Sequence, residues 1–375
     1  MTTVDPPIRC LEFFSGIGGL HYALPIAGIH AEVVCAFDVN EVANTVYTHN
    51  FGHPPSNKTI ERLTAKDLDK YQAEAWLLSP PCQPYTQGGR QMDLDDPRAK
   101  PLKHLIDLLP KLSKPPSRLF LENVKNFETS QSRELLITRL EEMGYAIREC
   151  LLSPTQFGIP NHRLRYYLMA TKMDAPTHYH REVYTEWPFP GLASWDPPVL
   201  PELSSFLEED INEEDYLVPA KYIEKRKNFR FDIVKPTHTS TSCVTKAYGS
   251  HHLNTSGSLV QTRHLEVTDY DWSNPQSLLE LGLRFLTPTE VARLHAFPLP
   301  PKYDHTESNS NSTEEHHQGG GDNRKGPRPF RTPSCQPYLE FPPQVNMSQQ
   351  YRLLGNSLNC WVVAELYRCC LFIEC

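Results

Sequence analysis

The sequence predicts an α/β fold: an open, mostly parallel sheet covered by helices on both faces, with a second, smaller domain attached. Three observations carry that expectation. From residue 7 to about 172, short apolar runs alternate with helix-period stretches, the pattern of strand–helix–strand units that build parallel sheets. The texture then changes, and 176–285 is rich in Pro, aromatic and Ser/Thr residues without clear alternation. An apolar helical pattern returns over 348–375 through Val362, Val363, Leu366, Tyr367 and Cys370, suited to packing back on the first unit. The expected domains are 1–175 plus 346–375 for the sheet and 176–298 for the smaller domain, with 299–345 an insert expected to be disordered.

Strands are expected at 8–14, 32–37, 75–79, 118–122, 145–152 and 164–170. Each of these six ranges is rich in Val, Leu, Ile or aromatic residues and bounded by Gly, Pro, Ser or Asn, which is how half-buried and buried strands read. Between them, 39–51 and 130–143 carry a helical period, the latter with Leu135, Leu136, Leu140 and Met143 on one side. A later helix is expected over 287–297, with Thr287 as N-cap, Pro288 at the first position and Glu290 three residues after the cap. Residues 304–329 contain no apolar residue and cannot form a core.

The chain has 375 residues, 39% of them apolar, enough for a sizeable core. Its 37 Lys+Arg against 45 Asp+Glu give a net charge of −8, which excludes nucleic-acid binding by bulk cationic attraction alone but not a local basic groove. The charge is uneven. Seven acids crowd 202–215, followed by Lys221, Lys225, Arg226, Lys227, Arg230 and Lys235 among Tyr222, Phe229 and Phe231. That mixture of phosphate attraction and stacking suits a folded RNA, with a solvated helix face as the plain alternative. A second basic cluster, Arg324, Lys325, Arg328 and Arg331, lies in the insert.

No run approaches the roughly 18 apolar residues of a membrane span. Glu12, Ser15, His21 and Pro25 interrupt the first thirty residues, so no signal peptide is expected. The expectation is an intracellular protein, cytoplasmic and/or nuclear. Its ten cysteines then read as buried thiols, or one nucleophile among them, and no CxxC pair offers zinc spacing. No metal is expected.

Chemistry concentrates at the strand ends. The first strand runs into Phe14-Ser15-Gly16-Ile17-Gly18-Gly19, where glycines let a tight turn bring backbone amides close to a ligand. The second ends at Asp38, an acid that can accept hydrogen bonds from ribose hydroxyls. Together they suggest a nucleoside-containing cofactor, although the glycines lack dinucleotide spacing; packing alone is the alternative for either.

Ser79-Pro80-Pro81-Cys82-Gln83-Pro84 holds a cysteine between prolines at the same edge, and Glu122-Asn123-Val124 ends the next strand. A thiolate beside a carboxylic acid is what covalent addition to a pyrimidine requires, the thiolate attacking C6 while the acid protonates N3. In Asn161-His162-Arg163-Leu164-Arg165 the two arginines project to one face. They suit a pyrimidine carbonyl, a phosphate, or both, or else ordinary salt bridges. Gly355-Asn356-Ser357-Leu358-Asn359 is expected to start the C-terminal helix, as a cap or against a cofactor.

The ordered series FSGIGG, Asp38, PPCQP, ENV, NHRLR and GNSLN resembles the cytosine-5 methyltransferases that use S-adenosyl-L-methionine. Within them, SPPCQPYTQGGRQ, LLSPTQFGIPNHRLRYYL and YRLLGNSLN are most similar to the DNA-methyltransferase-2-type enzymes, which modify transfer RNA at cytosine 38 of aspartate tRNA. The resemblance implies a Rossmann-like S-adenosylmethionine-dependent methyltransferase fold with a small target-recognition domain. Phe14, Gly16 and Gly18 would line the methionine end of the cofactor, Asp38 its ribose, Val39 and Ile60 (the latter after a further short strand that the resemblance implies) its adenine, and Asn356 and Ser357 would close the pocket. Cys82 would be the nucleophile and Glu122 the acid at N3, with Arg163 and Arg165 positioning Cys82 and the base.

The family's Cys-Phe-Thr tripeptide stands here as Cys243-Val244-Thr245, with Cys243 and Thr245 as candidate substrate contacts beside Lys221, Lys225, Arg226, Lys227 and Arg230. The expected partner is tRNA. A DNA cytosine-5 methyltransferase, and an inactive RNA- or cofactor-binding homologue, stay open as alternatives.

Overall fold

The computed structural model describes residues 5–85, 93–173, 182–190, 192, 195–253, 256–301 and 327–373. Among the described residues, ten strands form two sheets. The larger contains β1 (Ile8–Phe13), β2 (Ala31–Phe37), β3 (Ala75–Leu78), β4 (Arg118–Val124), β5 (Tyr145–Leu152), β6 (Arg165–Lys172) and β7 (Val183–Tyr184) in the order β2-β1-β3-β4-β6-β5-β7. Strands β1 to β4 are mutually parallel, whereas β6 is antiparallel to both β4 and β5. This reversal positions the site. The carboxyl ends of β1 to β4 and the amino end of β6 share one edge, with Val124 opposite Arg165.

Helices α1 (Gly19–Ala27), α2 (Glu41–Phe51), α3 (Ala65–Asp69), α4 (Lys100–Leu108) and α5 (Gln131–Glu142) follow the first strands in turn. The period-2 pattern of β1 separates two cores. Cys10 packs with Leu20, Ala23 and Val46, while Leu11 and Phe13 pack with Trp76, Leu102 and Leu105. Local chemistry sets the helix starts: the side chain of Asn40 accepts from Val42 N–H and Ala43 N–H, and that of Ser130 from Arg133 N–H. The short strand expected before Ile60 does not form. Ser56 makes only an isolated bridge to Phe37, and Ile60 opens a single 3₁₀ turn.

The smaller sheet, β8 (Ile233–Val234), β9 (Leu259–Gln261) and β10 (Leu283–Arg284), lies with α6 (Ala220–Glu224) and α7 (Pro275–Leu279). Helix α8 (Pro288–Leu294) starts on the expected capping box, with Thr287 and Glu290 exchanging both bonds. The C-terminal pattern resolves into two helices, α9 (Met347–Asn356) and α10 (Cys360–Leu366). Gly355–Asn359 is thus the junction between them and not a helix start, because Ser357 is extended and Asn359 caps α10 through Val362 N–H.

Two expected boundaries shift. The sheet continues past 175, since β7 pairs with β5, and Trp187 and Phe189 are buried behind it. Residues 327–345, expected to belong to a disordered insert, cross α1, α2 and α10. Leu339 and Val345 are buried, and Glu340 N–H donates to Asn50 Oδ1 at 3.0 Å. Arg328 is engaged within the fold. Its Nε lies 2.7 Å from the buried Glu365, and its guanidinium covers Trp361. Arg324, Lys325 and the rest of 302–326 lie outside the described residues.

Candidate active site

A cleft of about 510 Å³ opens at the shared strand edge, a size typical of small-molecule sites. Phe14, Gly16, Asp38, Val39, Ile60, Cys82, Glu122, Arg163, Arg165, Asn356 and Ser357 all line it. Residues spread over more than 340 positions therefore converge: most stand at strand ends on that edge, while Ile60 comes from a 3₁₀ turn and Asn356 and Ser357 from the α9–α10 junction.

One half of the cleft is the turn after β1. Phe14 has φ +59°, uncommon for an aromatic residue, and Gly16 has φ +53° with open space where a Cβ would stand. The Asp38 carboxylate holds the turn from the next strand, accepting Gly16 N–H and Asn40 N–H at 2.8 Å each. Its remaining lone pairs face a half-exposed surface and suit diol hydroxyls. Val39 is 63% exposed beside it, and the apolar Ile60 lies across. Ser15 Oγ is buried there with no hydrogen-bond partner among the described residues. Gly18 is the exception to the expected set. It caps α1 at φ +88°, and a Cβ there would meet Phe51 at 2.4 Å, so its part is to let α1 pack on α2.

The other half carries Cys82, Glu122 and the two arginines. Cys82 is half-buried after β3, and Glu122 is buried near the end of β4. Ser79 Oγ donates to Glu122 Oε2 at 3.3 Å, and Arg165 Nε stands 3.5 Å from Oε1. Burial pushes the Glu122 carboxyl above its ordinary range against the pull of Arg165 and Arg163. Burial also raises the Cys82 thiol; Arg165 opposes that shift and Glu122 adds to it. Asn123 clamps the cysteine loop, donating to Pro80 O at 3.2 Å.

Arg163 is buried, and both of its terminal nitrogens are engaged. Its Nη1 donates to Cys243 Sγ at 3.1 Å and to Val244 O at 3.0 Å, and its Nη2 to Gly355 O at 3.5 Å and to Ser357 O. Arg165 Nη2 reaches Cys243 Sγ at 3.5 Å. The expected roles of this tripeptide change accordingly. Cys243 is turned to the two guanidiniums, and although burial pushes its thiol up, their charges outweigh it and bring it below the usual thiol range. Val244 is buried in the core, and Thr245 packs its backbone against Gly355. Neither Cys243 nor Thr245 lines the cleft.

Lys221, Lys225, Lys227 and Arg230 are exposed and lie outside the cleft. Arg226 donates to His251 O, and Lys235, the last base of that stretch, is buried with Nζ on Leu265 O at 2.6 Å. Sequence reasoning missed Ser79 and Asn123, which stand inside the quoted motifs, and the rim bases Lys58 and Arg98, which carry no sequence signal.

With this geometry in place, similarity to known proteins is informative. A family model described as C-5 cytosine-specific DNA methylase matches residues 8–370. The tRNA (cytosine(38)-C(5))-methyltransferase of Homo sapiens is 34% identical, the match covering 96% of this chain and 98% of the relative. A DNA (cytosine-5)-methyltransferase of Dictyostelium discoideum is 32% identical over 96% of this chain and 93% of its own. The crystal structure of the S. pombe Dnmt2 methyltransferase superposes with a TM-score of 0.74 at 31% identity, covering 96% of this chain and 97% of that one. The arrangement of strand-end motifs around one cleft and these matches agree: the chain belongs to the C-5 cytosine-specific methylase family and is a cytosine-5 methyltransferase.

Proposed function

We propose that this protein methylates C5 of cytosine 38 in the anticodon loop of a tRNA, aspartate tRNA first, through a covalent Cys82 adduct and with S-adenosyl-L-methionine as donor. The observation that carries the reading is the meeting of Cys82, Glu122 and Arg165 with the Phe14–Asp38 turn in one cleft. The relative named for that tRNA position matches nearly end to end.

The cleft fits the donor, judged by the open Gly16 turn, the available Asp38 lone pairs and the orphaned Ser15 hydroxyl. Phe14 and Gly16 would hold its methionine end, Asp38 the ribose, Val39 and Ile60 the adenine, with Asn356 and Ser357 closing the cleft. When bound, it supplies a sulfonium methyl group, the electrophile that C5 takes up.

The chain's own residues do the rest. A loop cytosine leaves its stack at modest cost and enters the cleft. Cys82 adds to C6 as Glu122 protonates N3, which makes C5 nucleophilic. Transfer of the C5 proton to water, return of the N3 proton to Glu122 and departure of Cys82 as thiolate then restore the ring. Arg165 holds Glu122 in place, and Arg163 ties the α9–α10 junction to the 243–245 segment.

Cys82→Ala should keep donor binding but abolish methylation and covalent trapping on RNA carrying 5-fluorocytidine. Trapping that persists in this variant through another cysteine, Cys243 being the first to test, would sink the assignment. The Dictyostelium relative named as a DNA enzyme supports a second reading, DNA as substrate. Methyl transfer to tRNA and to duplex DNA, measured side by side, separates the two.

A further inference from the structure

Glu12 has no part in the scheme above, yet it is a fully buried carboxyl two residues before the Phe14 turn. It sits on the α1/α2 face of β1. Its Oε1 accepts the N–H of His21, in the first turn of α1, at 3.2 Å, and its Oε2 meets the Tyr47 hydroxyl of α2 at 3.1 Å. That hydroxyl lies 2.8 Å from His21 Nδ1, and the His21 ring stacks on Phe51 at 3.9 Å. Phe51 in turn is the ring that Gly18 packs against.

One buried side chain thus ties the strand before the turn to the helix after it and to the helix beside it. Asp38 holds the same turn from the cleft side through Gly16 N–H. Burial pushes the Glu12 carboxyl up to about 8, while burial and then His53 push the His21 ring down. The Tyr47 hydroxyl donates to Glu12 Oε2, and the neutral His21 ring meets the same hydroxyl through Nδ1. Carboxyl, hydroxyl and imidazole thus supply one another's partners where an unpaired buried polar group is costly.

We propose that Glu12 is a positioning residue of the methyl-donor site, acting through Tyr47 and His21 to fix the Phe14–Gly18 turn from behind. It rests on reading that turn as the donor half of the cleft. An amide can take the place of the carboxyl, with Oε1 accepting from His21 N–H and Nε2 donating to the Tyr47 oxygen, whose proton then turns to His21 Nδ1.

The test is equilibrium binding of S-adenosyl-L-methionine and, separately, of unmodified tRNA to the full chain, with melting temperature recorded for each variant. Glu12→Gln should keep donor affinity near wild type. Glu12→Ala and Tyr47→Phe should each weaken it about tenfold, the equivalent of one net buried hydrogen bond, and leave tRNA affinity unchanged. Wild-type donor affinity in Glu12→Ala overturns the proposal. So does a loss of donor and tRNA affinity in parallel, because that marks a general fold defect. A wild-type chain that binds no donor overturns the reading of the cleft itself, a separate and recognisable failure.

Discussion

Glu122 and Cys82 impose opposite demands on pH. In the proposed mechanism the addition step needs Cys82 as thiolate and Glu122 with its proton, and burial raises both groups from their ordinary values. Raising the pH supplies the thiolate but strips the carboxyl, so kcat/KM should be bell-shaped. Glu122→Gln has no proton to lose. It should fall about 100-fold or more in rate and show only a rising limb as Cys82 ionises. A falling alkaline limb that survives in Glu122→Gln would remove Glu122 as the acid. These two side chains were legible in the sequence because each sits in a short motif whose chemistry is local. The engagement of Cys243 was not legible, since its partners Arg163 and Arg165 are about 80 positions away and only folding sets them against its sulfur.

Secondary-structure elements convert these interactions into a site. Helix α9 approaches the 243–246 segment so closely that a Cβ on Gly355 would stand 2.2 Å from Thr245 C and 2.4 Å from Lys246 N. Backbone cannot yield as a flexible side chain does. Gly355→Ala should cost about 1–3 kcal/mol of stability and, by parting the surfaces that Arg163 bridges, lower kcat more than donor affinity. Thermal melts with single-turnover rates check both, and an unchanged melting temperature would show that the gap closes without strain. The cap at Thr287 was readable because capping is a matter of neighbouring residues, and those at Asn40 and Ser130 use the same local chemistry. The break at Ser357–Asn359 was not, because the apolar period runs through it while tertiary hydrogen bonds, such as Asn359 Nδ2 on Leu294 O at 3.0 Å, fix the bend.

At the scale of the whole molecule, the net charge of −8 conceals a separation of surfaces. The exposed bases of 221–230 stand apart from the cleft, and Arg226 is partly committed to His251 O. Lys225 and Lys227 are the cleaner probes. On the tRNA reading, reversing both to Glu should weaken tRNA binding and reduce the slope of log affinity against log salt by about one for each phosphate that is no longer neutralised. Donor affinity should not change. An unaltered salt slope would remove this face from the RNA interface.

The sequence by itself determined the fold class, the strand-end motifs and which side chains are proposed to react. Each of these depends on local periodicity or on chemistry carried within a few residues. Tertiary structure alone decided that β6 runs antiparallel and so brings Arg163 and Arg165 to the edge where β1 to β4 end. It also decided that Gly18 serves helix packing, that 327–345 packs as part of the core, and that Arg328 and Lys235 are held in buried interactions. The physical reason is the same throughout. A buried charge or a close backbone approach takes its meaning from the partner across the interface, and spacing along the chain does not name that partner.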